Sequence, residues 1–111
     1  MTFEEAKAGD ILVLTVTASR LAADVAPTFK QGLAGCVAPG NQKIVLDMSR
    51  VSFVDSTALG ALIGVLKLVG SDGELVLSSL HPNVASMFKL TRMNKVFRIF
   101  DNRDDAVSAL S

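Results

Sequence analysis

The chain has 111 residues, half of them hydrophobic, and its 11 Lys and Arg balance 11 Asp and Glu for a net charge of zero at pH 7. That length suits one globular domain over residues 1–111, able to bury about 60–70% of its unfolded surface. With charges of both signs interspersed there is no basic stripe to neutralise a phosphate backbone, so nucleic acid is not an expected direct partner.

No apolar run reaches the ~18–20 residues of a membrane span. The opening MTFEEAKAGD, with two early glutamates and no apolar core segment, does not read as a secretory signal. The single cysteine, Cys36, has no internal disulfide partner, which agrees with an expected cytoplasmic location.

In chain order, residues 2–6 read as a short edge strand and Gly9-Asp10 as the turn into a second strand, Ile11–Thr17, together a hairpin. Between Leu21 and Val37, the positions Val25, Phe29, Leu33, Cys36 and Val37 fit helical spacing, with Asp24 as candidate cap and Pro27 near the first turn. Gly32 and Gly35 weaken that helix. Cys36 falls on its apolar stripe and reads as a packed thiol rather than a reactive one. Pro39-Gly40-Asn41 then ends it.

Residues 43–70, KIVLDMSRVSFVDSTALGALIGVLKLVG, organise the rest. Ile44, Val45 and Leu46 form an uninterrupted apolar run suited to a central parallel strand covered on both faces. After a loop, Ser49–Val54, the residues Leu59, Leu62, Ile63, Leu66 and Val69 mark one apolar stripe on a helix. Asp55 or Ser56 is its cap, an interaction typically worth ~0.5–2 kcal/mol. Gly60 and Gly64 lie one turn apart, and each costs about 1 kcal/mol against Ala in a helix, so close approach of another backbone is expected there.

A hydroxyl at a helix start, at the carboxyl end of a parallel strand, sits where open α/β sheets bind ligands. Phosphorylation would add about −1.5 to −2 charges. The helix N-terminus tolerates that, whereas a docked partner surface beside Asp55 does not. The plainer reading of Asp55 and Ser56 is capping alone.

Gly70-Ser71-Asp72-Gly73 reads as a turn and Glu74–Ser78 as another buried parallel strand. A third helix is expected from Pro82, with Val84, Met87 and Phe88 on one face. His81, the sole histidine, reads as a structural loop residue. Val96–Phe100 makes a short last strand, and Asp101-Asn102-Arg103-Asp104-Asp105 opens a final helix that Ala106, Val107 and Leu110 pack down. The alternation predicts an α/β layer structure with right-handed crossovers, a mixed, mostly parallel sheet of about five strands and about four helices.

The tools of catalysis are sparse. One cysteine and one histidine cannot make a Cys/His zinc site, and no Gly-rich phosphate cradle is present. A relay of Ser56, His81 and Asp55 fails because adjacent residues cannot easily fill both the nucleophilic and the far-side orienting roles. Neither an enzyme activity nor a metal or cofactor is expected.

VSFVDSTALGALIG resembles the signature of STAS domains, the family that includes bacterial anti-sigma factor antagonists. Gly73–Leu77, Met87–Thr91 and Val96–Phe100 resemble its later elements, so the resemblance covers nearly the whole chain. It implies that the serine after the aspartate, Ser56, is phosphorylated by a partner kinase, with Thr57 the near alternative. The partner-binding surface it implies comprises Asp55, Ser56, Thr57, Ala58, Leu59 and Gly60, together with Ser19, Arg20, Leu21 and Ala22. The implied partners are an anti-sigma factor with serine kinase activity and a PP2C-type phosphatase.

Two positions depart from the family pattern: Ala58 stands where glycine is usual, and Ala22 where an aspartate closes Gly-x-Leu-Asp. The second bears on partner choice. The alternative reading is an unphosphorylated STAS scaffold in a lipid-transport ATPase or stress-signalling complex, and a nucleotide-sensing module ranks below both.

Overall fold

The structure, a computed structural model, describes residues 3–37, 43–70 and 73–111. Pro39-Gly40-Asn41, expected to end the first helix, and Ser71-Asp72 of the expected turn lie outside the described residues.

Phe3–Ala8 (β1) pairs antiparallel with Ile11–Val16 (β2), the hairpin expected around Gly9-Asp10, and Gly9 takes the turn with a φ of 65°. Every residue of β2 is buried. Lys43–Asp47 (β4) runs parallel to β2 on one side and to Glu74–Ser78 (β6) on the other. The sheet order is β1-β2-β4-β6-β7, with Ile99–Phe100 as β7, which puts β4 in the middle, and its Ile44, Val45 and Leu46 are fully buried. Uninterrupted apolar sequence therefore marks the strand with helices on both faces.

On one face lie helices Ala26–Val37 (α1), Ser56–Val69 (α2) and Pro82–Leu90 (α3). Phe29, Leu33, Leu62, Val65, Val84 and Phe88 join Leu12, Leu14, Leu46 and Leu77 there in one core. On the other face Arg103–Leu110 (α4) packs Ala106 and Leu110 against Ile11, Val13, Val45 and Val76. Asn102 caps α4, its side chain accepting from Asp105 N, and Asp104 and Asp105 fill the first turn. Among the described residues, a mixed five-stranded sheet and four helices are thus the observed architecture.

Four local expectations need correction. The stretch Ser49–Val54 is not all loop, because Phe53–Val54 (β5) pairs in parallel with Arg20–Leu21 (β3) as a small second sheet. Two residues are too few to display a period-two pattern, and only the distant partner makes them strands. The last strand is just Ile99–Phe100 (β7). A 3-10 helix at Met93–Lys95 precedes it, and Phe97 leaves the strand direction to enter the core. Helix α1 begins at Ala26, after a turn closed by Ala22 O accepting from Val25 N and Ala26 N.

The glycines of α2 also differ from expectation. A β-carbon on Gly60 would meet nothing within 4 Å, and one on Gly64 would meet only the Lys30 side chain, 2.9 Å from Cε. No backbone crowds either position. Lys30 reaches from α1 and lays the end of its side chain, Cε and Nζ, over Gly64.

Candidate functional site

The carboxyl end of the sheet is where the expected residues converge. Asp55 sits in an extended conformation (φ −112°, ψ 178°) immediately before α2. Its Oδ1 accepts from Ala58 N at 3.0 Å, so Asp55 rather than Ser56 is the cap. Its Oδ2 accepts from Ala23 N at 3.0 Å. One carboxylate thus fixes both the helix start and the segment that follows β3.

Further bonds bind the surrounding loops together. Asp55 N donates to Leu21 O and Ser52 N to Ser19 O, at 3.1 and 2.8 Å, with Ser52 Oγ adding a bond to Ser19 O. His81 Nε2 lies 2.9 Å from Ser49 O, and Asn83 Nδ2 donates to Ser52 O. His81 is therefore a tie between two loops, which fits its reading as a structural residue. At the base, Asp47 Oδ1 accepts from Ser49 N at 2.9 Å while Oδ2 takes both Nε and Nη2 of Arg103. Arg103 Nη2 also donates to Thr15 Oγ1 at 2.6 Å. The salt bridge is half open, since Arg103 is 43% exposed and Asp47 7%.

On this frame Ser56 and Thr57, the first residues of α2, are exposed. Ser19, Arg20 and Gly60 are exposed too, and Asp55 is half-buried between them. The other four residues of the expected surface differ: the side chains of Leu21, Ala22, Ala58 and Leu59 are buried and build the floor. The methyl group of Ala58 is wholly enclosed, so it faces the core rather than a docking partner.

Two features of this end were not legible in the sequence. Phe53 is 41% exposed, and the Arg20 guanidinium lies 5.0 Å from its ring centroid. Which way a lone aromatic faces in a two-residue strand depends on its partner strand, and no local pattern carries that. Beside Thr57, a shallow apolar groove of about 290 Å³ runs between α1 and α2 over Ala26, Pro27, Lys30, Gly60 and Ala61. Away from the site, Cys36 is half-buried against the core, and burial, helped by the Glu5 charge, pushes its thiol pKa up. This favours the packed thiol over a reactive thiolate.

The family model of STAS domains matches residues 3–106, and the chain belongs to that family. It is 32% identical over 78 residues to BtrV of Bordetella bronchiseptica, a candidate anti-sigma factor antagonist, covering 69% of this chain and 67% of that protein. It is 30% identical over 70 residues to the anti-sigma F factor antagonist of Paenibacillus polymyxa, covering 62% of this chain and 60% of that one. In structure it resembles a candidate anti-sigma factor antagonist of Thermotoga maritima with a TM-score of 0.86 at 25% identity, covering 96% of this chain and 92% of the other. Among the described residues, no helix is long and apolar enough to cross a membrane.

Proposed function

We infer that the protein is an anti-sigma factor antagonist, a cytoplasmic binding module whose docking surface is the carboxyl end of the sheet around the start of α2. Unmodified, it sequesters an anti-sigma factor that is also a serine kinase, and the sigma factor is released. Phosphorylation of Ser56, with Thr57 the alternative target, ends the docking, and a PP2C-type phosphatase restores it. The names of the sequence relatives support the antagonist role.

The observation that carries the reading is an exposed pair of hydroxyls at the first two positions of α2, on a start fixed by both oxygens of Asp55. A phosphate there is tolerated by the free helix N-terminus. Inside a complementary interface it brings desolvation and repulsion by nearby carboxylates. The protein needs no chemistry of its own, since the kinase supplies the phosphoryl transfer.

Incubation with an anti-sigma factor that has serine kinase activity, together with ATP, tests the switch by intact mass and site mapping. The expected result is one added phosphate, on Ser56 or Thr57. An unchanged mass would favour the scaffold reading, in which Asp55 and Ser56 serve the helix start alone.

A further inference from the structure

The overall charge balance conceals a segregation. From Leu75 to Phe100 there is no acidic residue, while Lys89, Arg92, Lys95 and Arg98 fall within ten positions. Arg98 is engaged: its Nη1 donates to Glu74 Oε1 at 2.9 Å, and its guanidinium lies 5.3 Å from the Phe100 ring centroid. Lys89, Arg92 and Lys95 form no ion pair among the described residues.

The same segment exposes Leu90 to 82% and Val96 to 48%, two of the four large apolar side chains left open among the described residues. A single tight bend presents them. Thr91 caps α3, Arg92 adopts a left-handed φ of 62°, and Val96 N and Phe97 N both donate to Met93 O. Phe97 anchors the bend from below, 3% exposed and packed edge-on against Phe88 with centroids 6.2 Å apart. The core position beneath the bend is therefore filled, and Leu90 and Val96 stay at the surface. Alongside, residues 94–100 line an open groove of about 520 Å³ by β7, an edge strand of the sheet.

We propose that this face is a second docking surface, for an acidic segment of a partner protein that also carries apolar side chains. Carboxylates of the segment meet Lys89, Arg92 and Lys95, its apolar residues cover Leu90 and Val96, and its backbone follows the groove. Complementary charge of this kind steers encounter and fixes register. The concavity selects a chain segment over a bilayer, because a planar surface does not enter a groove. The face is separate from the Ser56 site: α3 starts beside the loop ties of His81 and Asn83, and Leu90 stands at its far end, ~1.5 Å per residue away.

The test is a nuclear magnetic resonance titration of the full-length protein with a synthetic amphipathic peptide of glutamate and leucine. A lysine–leucine peptide and phosphatidylserine vesicles run beside it. The expected result is a set of shifts centred on residues 89–100, with affinity falling as salt is raised. Combined K89E, R92E and K95E substitutions should lower that affinity by at least ~tenfold, and Leu90→Ser by several-fold, with melting curves kept near wild type because all four side chains are exposed. Ser56→Asp should bind the peptide as wild type does, which separates this surface from the proposed switch.

Absent shifts, shifts centred on α2, or equal affinity of the charge-reversed variant would overturn the proposal. So would preferential binding to the vesicles, or self-association of the free protein that Leu90→Ser abolishes.

Discussion

Asp55 is the residue on which the site geometry turns, because one of its oxygens holds the first turn of α2 and the other holds Ala23. Asp55→Ala removes both acceptors. The loss of a cap and of a loop tie should destabilise the protein by about 1–2 kcal/mol. Urea denaturation measures that loss, and hydrogen exchange should speed up at the Ala23 and Ala58 amides. Unchanged exchange at both amides would show that the carboxylate does not hold them. Asp55→Asn keeps one acceptor oxygen and should fall between the two.

At Cys36 the raised thiol pKa has a plain consequence: at any pH below it the folded protein holds less thiolate than a free cysteine does. Alkylation by iodoacetamide should therefore set in at higher pH for the folded protein than for the urea-unfolded chain. Coincident pH profiles would contradict the buried setting.

Among the elements, α2 carries the clearest trade between stability and the proposed docking. Gly60 is helical and open, so Gly60→Ala should stabilise the fold by roughly 0.5–1 kcal/mol through helix propensity. The new methyl group would stand on the groove beside Thr57, and partner affinity should fall. A variant that gained stability and docked as well as wild type would remove that groove from the interface.

Helix α4 is pinned from the other face by Arg103 on Asp47 and Thr15. Arg103→Met leaves Asp47 with Ser49 N alone and should cost about 1–3 kcal/mol in urea denaturation. A loss below the error of the measurement would show that solvent screening of the half-open arginine dominates.

The elements that could be read in advance share a long local signal. Ile44–Leu46, Glu74–Ser78, the stripe from Leu59 to Val69 and the proline at the start of α3 each declare themselves within their own sequence. Two kinds of feature did not. Strands β3 and β5 exist only through each other across the chain, so neither their pairing nor the outward face of Phe53 could be inferred locally. The role of Gly60 and Gly64 depended on whether α1 sent a backbone or a flexible lysine toward them, and periodicity does not distinguish these. Within the site, the hydroxyls at the helix start and a cap at Asp55 or Ser56 were legible, and the structure decides for Asp55. The burial of Leu21, Ala22 and Ala58 required the packing of the sheet against α1 and α2, whereas Leu59 already fell on the apolar stripe of its helix.

For the whole molecule, the central β4 leads into a knot of loop bonds, and that knot sets the position of the hydroxyls at the start of α2. A docked partner would meet a preformed surface, so little ordering entropy opposes binding and a single charge can decide the equilibrium. The most direct test is the equilibrium affinity of the proposed partner kinase for wild type, Ser56→Ala and Ser56→Asp, with melting curves to verify the fold. The expected result is binding by Ser56→Ala that stays tight in the presence of kinase and ATP, and binding by Ser56→Asp weakened more than ~tenfold, a difference above about 1.4 kcal/mol. Equal affinity of Ser56→Asp and wild type would contradict the switch.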